Sequence, residues 1–132
     1  MTRIYLSGPI SEGEHPHEWR DAISSEWSDP EWINPFKLHN IPDDELSDRV
    51  QEIINQNMTE IAESDAVLLR RIENYNLCGA SMEAREAFTV DVPVIVWNAG
   101  ESEVPLFLKG HATKVYSDRE SSVEAVVKIA SE

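Results

Sequence analysis

The stretch with the clearest capacity for chemistry is Asn76 to Ala87, NLCGASMEAREA, where one carboxylate, Glu83, stands beside an apolar helical stripe. Ala80, Ala84, Ala87 and Phe88 recur at i, i+4, i+7 and i+8, the spacing of a packed helix face. Glu83 follows Ala80 by three residues and precedes Ala87 by four, so its side chain is expected to lean toward that face and over the helix start. Unpaired N–H groups and the helix dipole there would keep the carboxylate ionised, as a nucleophile or base requires. Gly79 is expected to let the backbone leave the preceding segment tightly and open the helix. The plainer alternative is a surface glutamate that complements the dipole, a common use in a chain with 25 acidic residues.

Other chemistries lack their residues. The turn LSGPISEG contains no G-x-G-x-x-G, and G-x-x-x-x-G-K-[ST] occurs nowhere, so the two common nucleotide cradles are absent. His15 and His17 flank Pro16 without a third ligand at metal spacing, and they read as solvated loop residues. The single cysteine, Cys78, gives no intrachain disulfide and reads as a small loop residue. No serine sits in a G-x-S-x-G elbow. The expectation is a carboxylate-centred site with no metal and no cofactor, suited to substitution at a carbon that develops positive charge, as in glycosyl transfer.

The elements that must position this site alternate along the chain. Arg3 to Leu6 predicts a strand, stopped by Gly8 and Pro9. A loop leads to a helix over His17 to Trp27, then Trp32-Ile33 forms a brief strand and residues through Pro42 have loop composition. A long helix is predicted from Asp43-Asp44 to about Ser64, on Leu46, Val50, Ile53, Ile54, Met58 and Ile61. Ala66 to Leu69 and Val92 to Trp97 are continuous apolar runs, the signature of strands covered on both faces. A short helical turn at Leu106 to Leu108, a strand at Lys114 to Tyr116 and a helix over Glu120 to Ile129 complete the pattern. Trp19, Trp27 and Trp32 read as core, with the wall of a ligand pocket as the alternative use.

This alternation predicts one α/β domain over residues 1–132, a five-stranded parallel sheet with helices on both faces, flavodoxin-like or Rossmann-like. Ligands of such sheets bind at the carboxyl ends of the strands. The loop after the first strand, the segment leading to Gly79 and Asn98 all fall at that edge, with Glu83 facing the same crevice.

Composition sets the partners. Eleven basic against 25 acidic residues give a net charge of −14, and only four of the basic residues are lysine. Such a surface repels phosphate backbones and anionic membranes, so neither nucleic acid nor membrane is expected as a partner. No apolar run reaches the ~20 residues of a spanning helix, and the opening residues begin a strand instead of a leader, so a cytoplasmic protein is expected. The acid-rich, lysine-poor balance fits a halophile, whose salt screens self-repulsion; an ordinary acidic protein is the alternative.

IYLSGPI at the start, a helix ending in AESDAVLL and the G-x-x-x-E of CGASMEAREA together resemble the nucleoside 2-deoxyribosyltransferase superfamily, which includes the 2′-deoxynucleoside 5′-phosphate N-hydrolases. The motifs run in the same order over most of the chain. The resemblance implies that Glu83 attacks the anomeric carbon and that Tyr5 hydrogen-bonds and orients it. It further implies that Ser7, Gly8 and Ile10 line the sugar side through backbone groups, with Asn76, Gly79 and Ser81 near the substrate. Where the family carries an acid that helps protonate the departing base, this chain has Asn57. Leu77 stands where a polar sugar ligand is usual, with Asn76 beside it, and the chain also departs near Pro105, where the family brings a polar side chain across a dimer interface. The implied activity is deoxyribosyl transfer between bases of a small-molecule nucleoside. Hydrolysis of a 5′-monophosphate nucleotide and a non-catalytic nucleotide-binding module are the alternatives. Assembly as a homodimer or higher homo-oligomer is also implied.

Overall fold

The computed structural model describes residues 1–9, 17–39, 41–73 and 75–132. The strands are β1 (Arg3–Ser7), β2 (Glu31–Ile33), β3 (Ala66–Arg71), β4 (Val94–Asn98) and β5 (Lys114–Tyr116). The helices are α1 (Glu18–Glu26), α2 (Pro35–Leu38), α3 (Val50–Ala62), α4 (Cys78–Thr89), α5 (Leu106–His111) and α6 (Arg119–Ala130). All four strand pairings are parallel, in the order β2-β1-β3-β4-β5. That is the doubly wound, flavodoxin-like order, whose strand sequence reverses between β1 and β3.

Strand alternation divides the core into two layers. Tyr5, Val67, Leu69, Val94 and Val96 point to one face and pack with Ile61 of α3, Ala80, Ala84 and Ala87 of α4 and Leu108 of α5. Ile4, Leu6, Leu68, Ile95 and Trp97 point to the other, against Trp19 and Ile23 of α1 and Val123 and Val126 of α6. The central strands are therefore apolar on both faces, which is why β3 and β4 read as unbroken hydrophobic runs. Trp19 belongs to this core, and Trp27 and Trp32 pack partly against it.

The long helix expected from Asp43 is divided. A 3₁₀ turn at Asp43–Glu45 and a non-helical stretch precede α3, which starts at Val50. Leu46, Val50 and Ile54 are exposed and only Ile61 of that stripe is buried, so the helical period there does not mark a core face. A short helix, α2, occupies part of the expected loop; Asn34 caps it, accepting from Phe36 N–H at 3.0 Å, and Pro35 takes the first-turn position that needs no donor. β4 begins at Val94, two residues later than expected, because Pro93 has no N–H for the ladder; its carbonyl still accepts from Val67. Phe88, counted with the packed stripe of α4, is instead about half exposed, at 51%, and meets His111 edge-on.

Candidate active site

Tyr5 and Ser7 alternate with Ile4 and Leu6 on β1, so both side chains project toward α4. Ala80, Ala84 and Ala87 let α4 lie close to the sheet, and Glu83, one position before Ala84, meets β1 where the apolar contact ends. The Tyr5 hydroxyl donates to Glu83 Oε2, and the Ser7 hydroxyl donates to Oε1 at 2.7 Å. Each carboxylate oxygen thus has one donor fixed by the sheet and keeps a lone pair for a further partner. Tyr5 and Ser7 are fully buried, so removing the Glu83 side chain altogether would strand two hydroxyls at a cost of about 1–3 kcal/mol each.

Glu83 is the sixth residue of α4, in its second turn. The expectation that helix-terminal N–H groups hold its charge is therefore corrected: the donors are the two β1 hydroxyls. Burial raises the Glu83 carboxyl above the ordinary carboxylate range, against the pull of Tyr5, Ser7 and the more distant Arg20 charge. Burial, reinforced by the Glu83 charge, raises the Tyr5 phenol far above its ordinary range, so Tyr5 remains a donor. The arrangement is a partly desolvated, basic carboxylate held in one orientation.

A cleft of about 380 Å³ opens on Glu83, bounded among others by Gly8, Phe36, Asn57, Tyr75, Leu77 and Gly79. Its walls come from the loop after β1, from α2 and α3, and from the β3–α4 junction, so it lies at the carboxyl ends of the strands, beside the β1/β3 reversal. A larger hollow of about 450 Å³ lies by β4 and β5, where Asn98, Lys109 and Lys114 contribute to its lining. None of the described residues that line it is a buried nucleophile, so volume alone does not choose the site.

The structure brings together most of the residues expected from sequence. Asn57 reaches the cleft from α3. Asn76 lines it while its Oδ1 accepts from Cys78 N–H at 2.7 Å, an Asx turn that starts α4. Gly79 is an ordinary second residue of α4 and makes no tight exit; a Cβ there would meet nothing within 4 Å. Gly8 does require glycine, with φ of +139° and a would-be Cβ 2.7 Å from the Arg70 carbonyl. Ser81 is exposed on α4 and does not line the cleft. Ile10 and His15 lie outside the described residues; His17 packs beside Phe36, ring centroids 5.6 Å apart.

Two contributors escaped sequence reasoning. Ser7 was expected to act through its backbone, and its hydroxyl holds the carboxylate instead. Arg20 of α1 is buried and donates to the carbonyls of Pro9 and Gly8, both at 2.9 Å, and more loosely to Leu6, fixing the loop that follows β1. Burial lowers its guanidinium to about 10, and the ring of Trp19 lies 4.3 Å from it. The available signal was an arginine between Trp19 and Ile23 on the packed side of an amphipathic helix.

No protein-family model and no curated protein matches the sequence. Solved structures do. The chain superposes on the 2-deoxyribosyltransferase of Bacillus psychrosaccharolyticus with a TM-score of 0.75, covering 89% of this chain and 87% of that one at 13% identity. The fold is that of the 2-deoxyribosyltransferases. The Leishmania mexicana 2-deoxyribosyltransferase gives 0.71 at 14% identity, with 97% and 98% of the two chains covered. A conserved protein of Enterococcus faecalis V583 gives 0.78 at 15% identity over the same shares. At such identities the deoxyribosyltransferase likeness carries the backbone, and the site is argued from this chain's own side chains.

Proposed function

We propose that the protein cleaves the N-glycosidic bond of a 2′-deoxynucleoside and passes the deoxyribosyl group to a second base. The observation that carries this reading is the partly buried Glu83 carboxylate, held by Tyr5 and Ser7 and opening on a cleft in a deoxyribosyltransferase fold. A free lone pair of Glu83 attacks C1′ through an oxocarbenium-like state while the C1′–N bond breaks and its electron pair stays on the base. The base takes up a proton from solvent. A nitrogen of the second base then attacks C1′ from the opposite face, Glu83 leaves as carboxylate, and the incoming base loses its proton. Two inversions give net retention. Desolvation makes Glu83 more basic than an ordinary carboxylate and hence a stronger nucleophile.

The exposed apolar side chains Met82, Phe88, Leu106 and Phe107 on α4 and α5 support self-association. The net charge of −14 supports assay at high salt and a halophilic, cytoplasmic setting. Among the described residues, no helix is long and apolar enough to cross a membrane.

The test is incubation of the protein and its Glu83→Ala variant with a deoxynucleoside, with and without a free acceptor base, and then with the matching 5′-monophosphate. A new nucleoside formed only with acceptor, and lost in the variant, is the expected result. Free base released from the monophosphate without acceptor would make the protein a hydrolase. Binding without turnover in every mixture would leave a nucleotide-binding module.

A further inference from the structure

Asn57 enters the cleft with its carboxamide held from behind. His39, the residue that ends α2, places Nε2 3.0 Å from Asn57 Oδ1 and Nδ1 2.9 Å from Gln56 Oε1. Gln56 and Asn57 are neighbours on α3, so one imidazole bridges two adjacent amides. An imidazole nitrogen meets a carbonyl oxygen favourably only by donating a proton. Against the Asn57 oxygen Nε2 must carry a proton, and Gln56 can turn its oxygen or its NH₂ to Nδ1 to suit the ring. In either arrangement the Asn57 oxygen is filled from the side of His39.

An amide has two ends, and with the oxygen taken the nitrogen remains for the cleft. We propose that His39 is a positioning residue that holds Asn57 with its NH₂ presented to the leaving heterocycle, a role that rests on the glycosidic reading above. As the C1′–N bond breaks, negative charge spreads onto ring nitrogens and carbonyl oxygens of the base. A fixed N–H donor stabilises that charge without surrendering its proton. An inverted Asn57 would present its oxygen to the same lone pairs and repel them. His39 thereby gives a neutral amide a fixed donor polarity, and the site favours bases that carry an acceptor facing α3.

The experiment has three readouts on the whole protein. Nitrogen-15 spectra of histidine-labelled protein, with His39 assigned by its loss in His39→Gln, should show a protonated Nε2. A lone-pair type Nε2 overturns the proposal whatever the reaction. In steady state, His39→Leu should lower kcat/KM about tenfold, mostly in kcat, whereas His39→Gln, which still offers an N–H to Asn57, should recover most of it. Equal losses in both variants, or none in His39→Leu, overturn it. In an Asn57→Ala background the His39→Leu effect should vanish; additive losses mean that His39 acts independently of Asn57. A wild-type protein without turnover sinks the glycosidic reading and the leaving-group role with it, but not the hold of His39 on Asn57. The nitrogen spectrum then decides, together with deoxynucleoside binding, expected to be about tenfold weaker in His39→Leu than in His39→Gln.

Discussion

Glu73 and Glu83 stand near the same edge of the sheet, one two residues beyond β3 and the other on the helix that follows, and their surroundings drive them in opposite directions. Glu73 accepts from the Ser102 N–H and hydroxyl, each at 2.6 Å, and from the Arg71 guanidinium at 2.9 Å. Those contacts, the Ser102 hydrogen bonds foremost, hold its carboxyl down at about 2. Arg71 also reaches Asn98 Oδ1 and the Ser102 carbonyl, so the cluster ties the β3 loop to the β4 loop. Among the described residues Glu83 has two hydroxyl donors and no cation in contact, and burial raises it. The lesson concerns the kind of partner and the access of water. Glu73 is spent as a fixed counter-ion, while Glu83 keeps its basicity for something that is not yet bound.

Replacing Glu83 by Gln breaks the comparison most severely. Turnover should fall about 10⁴-fold or more, the scale of removing a nucleophile. Stability should move the other way. The folded state raises the Glu83 carboxyl, so it holds more protons than the unfolded chain between the two values. Stability therefore declines as pH rises through that window, and above it the ionised Glu83 is a cost. Glu83→Gln, which keeps an oxygen for Tyr5 and an NH₂ for Ser7, should melt higher than wild type above that window. A variant that melts lower would mean that the carboxylate is a stabilising group like Glu73.

Tyr5→Phe sharpens the same contrast by removing one donor and leaving the packing. A loss of about 10²-fold in kcat/KM is expected from mispositioning of the carboxylate. The acid limb of the pH–rate profile should also move to higher pH, because the Tyr5 hydrogen bond is the strongest of the pulls opposing burial at Glu83. Ser7→Ala removes the other donor; a shift in the same direction with about tenfold loss is expected. An unmoved acid limb in both variants would mean that another group titrates in the rate.

The sheet was largely legible because buried parallel strands need unbroken apolar runs, and Ala66 to Leu69 and Val94 to Trp97 supply them. Helix limits were less so. Leu46 and Val50 keep a helical period without a core to face, and nothing local distinguishes an exposed apolar stripe from a buried one. Glu83 announced itself by its place beside three small residues of α4, yet its partners lie 78 and 76 positions away on β1. No periodicity reports a contact of that range; only the family pattern linked Tyr5 to Glu83, and it was silent on the Ser7 hydroxyl. His39 was missed for the same reason, since it reaches Asn57 across 18 residues from a short helix that read as loop.

The gentlest probe falls on the other glutamate. Glu73→Gln should leave kcat/KM within about twofold, because Glu73 does not line the Glu83 cleft. Its effect belongs to stability and to acid. A carboxyl held at about 2 in the fold and near the ordinary value when unfolded binds fewer protons in the native state across that interval. The stabilisation is fully present above the unfolded value and is lost as pH falls through the interval toward about 2. Wild type should therefore lose melting temperature on acidification more steeply than Glu73→Gln, and the two curves should converge at the acid end. Parallel curves would show that the Arg71–Glu73–Ser102 cluster contributes nothing to the acid limit. A large loss of turnover in Glu73→Gln would erase the division of labour between the two carboxylates, because the clasp between the β3 and β4 loops would then be shaping the cleft itself.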